Sequence, residues 1–175
     1  GITLVVHASD SGYTTHGYVK DGFSADFSGG VFSPNIKHFN IERAAYAFLI
    51  TLCYEKLFAR FPNLRIASVE NGAEFLPDLF RKLRQSRDRM RGYYKEDPAE
   101  LFRHHVWINP FWEDDVNEVA HYMGVDRVIF GSDWPHIEGM PTPLDYVVEL
   151  EKFSGEEKQL ILRDNTRFLN TPRPL

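Results

Sequence analysis

Three side chains able to handle metals or protons stand at the ends of short apolar runs. His7 closes Val5-Val6-His7, Glu70 closes Ser68-Val69-Glu70, and Asp133 closes Phe130-Gly131-Ser132-Asp133. Asn109, after Trp107-Ile108, is a fourth polar terminus. An imidazole and a carboxylate together suit a divalent cation of intermediate hardness, Zn²⁺ first, with Mn²⁺ and Fe²⁺ open on ligand type. His7 and Asp133 are accordingly the expected metal ligands. Taken singly, a strand-end histidine is often only a hydrogen-bonding group, and such an aspartate often caps a helix. Their occurrence on separate strands of one sheet, with Glu70 on a strand between them, favours a shared site. Glu70 is a candidate general acid or base, a ligand for a cation or a substrate amine, or simply the partner of an arginine. His136 is expected to touch substrate or orient the site from behind, Trp134 to form a wall, and Asn71 to contact substrate.

Elements must bring these termini together. The runs 2–6, 65–69, 105–108 and 127–130 are apolar throughout, the pattern of parallel strands buried on both faces. Helical periodicity follows each run, over 41–61, 74–90, 114–123, 144–153 and 156–169, with Gly124 as a C-terminal cap and Ser154 as an N-cap. The alternation predicts an α/β fold with right-handed crossovers, either an open sheet or part of a barrel. In both, ligands bind at the carboxyl ends of the strands. Two excursions interrupt the order. Segment 8–40 is far longer than the usual βα loop of about 2–6 residues. Its Tyr13, His16, Tyr18, Phe23, Phe27, Phe32 and His38 are candidates to wall a pocket or to make a surface contact. Segment 91–104 is the second excursion.

The 175 residues, 43% hydrophobic and 14% aromatic, suffice for one packed domain, and the net charge of -5 argues against nucleic acid as a partner. The basic stretch 81–91 is broken by Asp88 and reads as a solvated helix face. No apolar run approaches the roughly 18 residues of a membrane span, so no membrane partner is expected. The lone Cys53 fits a reducing, cytoplasmic setting. Gly1 runs straight into a strand, so the start is expected to be internal to a longer protein.

The segment Val128-Ile129-Phe130-Gly131-Ser132-Asp133-Trp134-Pro135-His136 closely resembles the eighth-strand signature of the amidohydrolase-related family. That group includes aminocarboxymuconate-semialdehyde decarboxylase and γ-resorcylate decarboxylase. Val5-Val6-His7 resembles its fifth-strand metal histidine, 66–76 its sixth strand and loop, and 161–169 its closing helix. The resemblance covers the chain but only the second half of the family's (β/α)8 barrel. It implies that 1–175 is a single C-terminal half-barrel segment, strands five to eight, with the N-terminal half absent. It also implies that His7 and Asp133 bind metal and that Asp133 takes a proton from metal-bound water. Two departures stand out. No His-x-His or Glu-x-His pair precedes the His7 strand, and Glu70 stands where the decarboxylases carry a catalytic histidine.

The expected activity is metal-dependent hydrolysis of a small carboxylate or aromatic substrate through a metal-activated water, with non-oxidative decarboxylation as the alternative. This chain alone is expected to be inactive. A metal-free glycosidase using Glu70 and Asp133 is a further possibility. A non-catalytic assembly module is another, because four strands of an eight-stranded barrel would bare an apolar face. The expected partner is the N-terminal half or another copy, giving a homo-oligomer.

Overall fold

The computed structural model describes residues 3–8, 36–136 and 139–172, with the backbone alone over 36–42. Most of the long first excursion, with its candidate pocket aromatics, lies outside the described residues. Three parallel strands, β1 (Thr3–His7), β2 (Arg65–Val69) and β3 (Val106–Ile108), form a sheet in that order. Val5 pairs with Ala67, His7 with Val69 and Ser68 with Ile108. Parallel strands need crossover helices, and these cover one face of the sheet.

The expected fourth strand over 127–130 is reduced to one parallel bridge, Val128 to Ile108. The Ile129 N–H reaches the Ile108 carbonyl at 2.9 Å. The residue due to donate the following rung is Pro110, which has no N–H. The neighbouring Asn109 amide reaches the Ile129 and Gly131 carbonyls instead, at 3.4 Å each. On the far edge, the Phe130 N–H is taken by the Ile161 carbonyl at 3.1 Å.

The first helix, α1 (Ile36–Tyr54), begins before position 41, because its first turn carries the polar Lys37, His38 and Asn40, which apolar periodicity does not register. The excursion therefore ends at position 35 rather than 40. Lys56, left-handed at φ 55°, breaks the helical run and starts a short α2 (Leu57–Arg60). The third helix, α3 (Leu76–Arg89), buries Leu76, Leu79, Phe80 and Leu83, a 3.6-residue stripe. Segment 91–104 is not wholly irregular: Asp97 accepts from the Ala99 N–H and Pro98 opens α4 (Pro98–His105). His105 thus ends a helix rather than beginning a strand. Asp115 caps α5 (Val116–Met123), and Gly124 closes it at φ 89°.

The predicted helix over 144–153 is a 3₁₀ segment, Pro143–Val148, followed by turns. Its N–H groups close on carbonyls three residues back, Glu149 to Tyr146 and Leu150 to Val147 among them. The last helical stretch divides into α6 (Gly155–Gln159), a π-type turn over Leu160–Asp164, and α7 (Asn165–Asn170). Ser154 caps it as expected, in a capping box with Glu157.

The core has two layers. Ile66, Val106, Ile108 and Val128 pack with the helix stripes, including Leu49, Phe80, Phe102 and Val119. On the opposite face, Ala67, Trp107 and Ile129 pack under Leu169 of α7. Arg65 donates to the Phe168 and Thr171 carbonyls at 3.0 and 3.2 Å, and Thr3 Oγ1 to the Leu169 carbonyl at 2.7 Å. This clasp satisfies carbonyls that a helix end leaves open. On β1, Leu4 and Val5 stay 44% and 61% exposed. Among the described residues, no helix is long and apolar enough to cross a membrane.

Candidate metal centre

At the carboxyl ends of the strands, β1 delivers His7, β2 runs directly into Glu70, and the segment after the Val128 bridge delivers Asp133. Both carboxylate residues adopt a left-handed backbone, Glu70 at φ 56° and Asp133 at φ 55°. That conformation is uncommon for non-glycine residues and tends to mark functional sites. It breaks the strand's alternation at each carboxylate.

His7 Nε2 lies 3.0 Å from Glu70 Oε2, and His136 Nδ1 lies 3.1 Å from Asp133 Oδ1. Glu70 and Asp133 are themselves hydrogen-bonded through their side chains. The four residues form a chain from His7 through the two carboxylates to His136. Within it, ligand atoms of Glu70, Asp133 and His136 all lie within 4.8 Å of one another. His7 reaches this group through Glu70. His7 Nδ1 sits 2.7 Å from the Ala8 carbonyl, which holds the proton on Nδ1 in the neutral ring and leaves the Nε2 lone pair facing Glu70.

Two carboxylates in contact cannot both ionise freely. Glu70 is pushed up to about 7, first by burial and then by its hydrogen bond to Asp133, while the nearby His7 pulls the other way. Glu70 therefore holds its proton close to neutrality. The donor set, two carboxylates with imidazole nitrogens on either side, fits a divalent cation of intermediate hardness.

The remaining expected residues divide. Trp134 is 64% exposed and His136 is also exposed, both open to a ligand. Asn71, expected to contact substrate, is 2% exposed. Its amide nitrogen lies 2.8 Å from the Val6 carbonyl and 2.9 Å from that of Val69, fastening β1 to β2 beside Glu70. Asn109 is likewise buried and ties β3 to the Gly131 bend. Buried His105 stacks on Phe58 with Nδ1 2.6 Å from the Leu64 carbonyl, and exposed His121 lies on α5, both away from the cluster.

The sequence reading missed the loop behind Asp133. The His136 N–H bonds the Asp133 carbonyl at 2.9 Å, and Met140 N–H bonds the Ser132 carbonyl at 2.8 Å. A glycine six residues after a strand-end aspartate was the available signal.

A family model described as amidohydrolase matches residues 1–169. Among solved structures, an amidohydrolase from Mycobacterium avium subsp. paratuberculosis K-10 is 34% identical with a TM-score of 0.82, over 95% of this chain and 42% of that one. The 5-carboxyvanillate decarboxylase LigW from Sphingomonas paucimobilis is 18% identical with a TM-score of 0.58, over 82% of this chain and 44% of that one. The second likeness concerns the fold. The chain thus spans less than half the length of both structures. No curated protein matches it at significance.

Proposed function

The chain belongs to the amidohydrolase family of TIM-barrel enzymes, and from that premise we propose that it is the C-terminal half, strands five to eight, of a metal-dependent hydrolase acting on a small carboxylate or aromatic substrate. The family generally binds divalent metals. The observation that carries the reading is the convergence of Glu70, Asp133 and His136 within 4.8 Å at the strand ends, with His7 3.0 Å from Glu70.

His7 and Asp133 would hold the cation, with Glu70 and His136 within reach of the same space and further ligands supplied by the N-terminal half. A divalent ion held there, Zn²⁺ by preference, would supply Lewis acidity, polarising a carbonyl and lowering the pKa of a bound water. This chain's own residues handle the protons. Asp133 accepts one from the attacking water. Glu70 is placed to hand a proton to the departing group and to be reprotonated by way of Asp133, which holds the proton taken from water. Trp134 and His136, exposed beside Asp133, border the substrate. Hydrolysis is preferred to decarboxylation because Glu70 replaces the histidine on which the decarboxylase reading depends.

Metal analysis of the full-length protein tests the proposal. Close to one equivalent of divalent ion is expected in the wild type, with strong depletion in Asp133→Ala. Absence of bound metal, or unchanged binding in the variant, rejects the reading.

A further inference from the structure

We propose that Gly139 is a positioning residue for Asp133, resting on the reading of Asp133 as a metal ligand. A Cβ built on Gly139 would lie 2.5 Å from the Asp133 carbonyl oxygen, 2.7 Å from its carbonyl carbon and 3.0 Å from the Ser132 oxygen. All three are backbone atoms, so no side chain can swing aside to make room. The absent side chain lets the loop fold back against the peptide that follows the left-handed Asp133.

The return is fixed on both sides of that contact. His136 N–H bonds the Asp133 carbonyl, Gly139 N–H bonds the His136 carbonyl at 3.1 Å, and Met140 N–H bonds the Ser132 carbonyl. Met140 is buried at 8% exposure in the helix-side core, which anchors the end of the loop. Gly131 adds a second close approach at the loop's start, where a Cβ would meet Asn109 Oδ1 at 2.9 Å. The Asp133 backbone is therefore gripped between a bend packed on Asn109 and a returning glycine. That grip holds the carboxylate towards Glu70 and His136. An added methyl at position 139 pushes directly on the Asp133 peptide.

The test is the affinity of the full-length protein for Zn²⁺ alone, by competition with a chromogenic chelator, alongside thermal denaturation of the metal-free protein. Gly139→Ala is expected to lower the metal-free melting temperature, because backbone must shift to admit the Cβ, and, assayed where the protein is still folded, to weaken Zn²⁺ on the order of tenfold to a hundredfold. Gly155→Ala, which meets nothing within 4 Å, is expected to leave both unchanged. Wild-type affinity in Gly139→Ala overturns the inference. If Gly139→Ala does not fold, Met140→Ala takes its place: it frees the buried end of the returning loop, so wild-type affinity there shows that the loop's return does not hold Asp133 and overturns the inference. Asp133→Ala separates the two levels. Undiminished Zn²⁺ affinity in that variant brings down the metal-site reading itself, whereas a loss there without one in Gly139→Ala brings down only the positioning role.

Discussion

Glu70 and Asp133 reach their shared site by the same backbone device, a left-handed residue placed immediately beyond a strand segment. The residue types and their strand-end positions were legible in the sequence, because an apolar run ending in a carboxylate stands out. The φ angles were not, since nothing in Val69-Glu70-Asn71 marks a positive φ on a glutamate. Asn71 illustrates the same limit: the sequence places a polar residue beside the site but does not show the bond of its amide to the Val6 carbonyl. Glu70 supports a prediction with a definite sign. Its folded value of about 7 exceeds the ordinary 4.5, so the folded state binds more protons between those values. Stability therefore falls as pH rises through that window, and Glu70→Gln reduces the slope, leaving the part due to Asp114, which burial pushes up to about 6; urea denaturation of the metal-free protein from pH 4.5 to 7.5 measures the difference. Binding a cation favours the carboxylate and should move the titration, followed by carboxyl NMR, downward. In the complete enzyme, Glu70→Gln is expected to lower kcat/KM by about 10²- to 10⁴-fold, the usual scale for a lost general acid.

Helices with a clear apolar stripe were legible; segments whose backbone hydrogen bonds depart from the α pattern were not. The stripe of α3 and the Gly124 cap stand where periodicity puts them. The fourth strand fails for a local reason, Pro110 standing where a donor is required. Pro141-Thr142-Pro143 opens a segment that periodicity reads as α-helix but whose bonds close one residue tighter. Ser154 offers a test at this scale. Its side chain accepts from the Glu157 N–H while Glu157 reaches back to the Ser154 N–H at 2.8 Å. Ser154→Ala should cost about 1 kcal/mol in chemical denaturation, with Zn²⁺ affinity unchanged because the cap lies outside the site.

At the scale of the molecule, β1 pairs with β2 on one edge and leaves Leu4 and Val5 exposed. Parallel strands in α/β proteins are covered on both faces, and on the proposed half-barrel reading this strand would take its cover from the N-terminal half. The 175-residue chain by itself is expected to self-associate, seen as concentration-dependent mass in sedimentation, and Val5→Lys is expected to reduce it. A chain that stays monomeric at high concentration would contradict the half-barrel assignment. The clasp at the other end of the sheet bears on the order of events during folding. The bond from Thr3 to Leu169 joins residues 166 positions apart, and those from Arg65 span 103 and 106. Contacts so distant in sequence carry a large loop-closure cost before they return anything, and they slow the search for the native state. During synthesis, β1 and β2 must wait on the ribosome with that end unlatched until α7 emerges. Strands made well before α7 are thus among the last elements to be secured at that end.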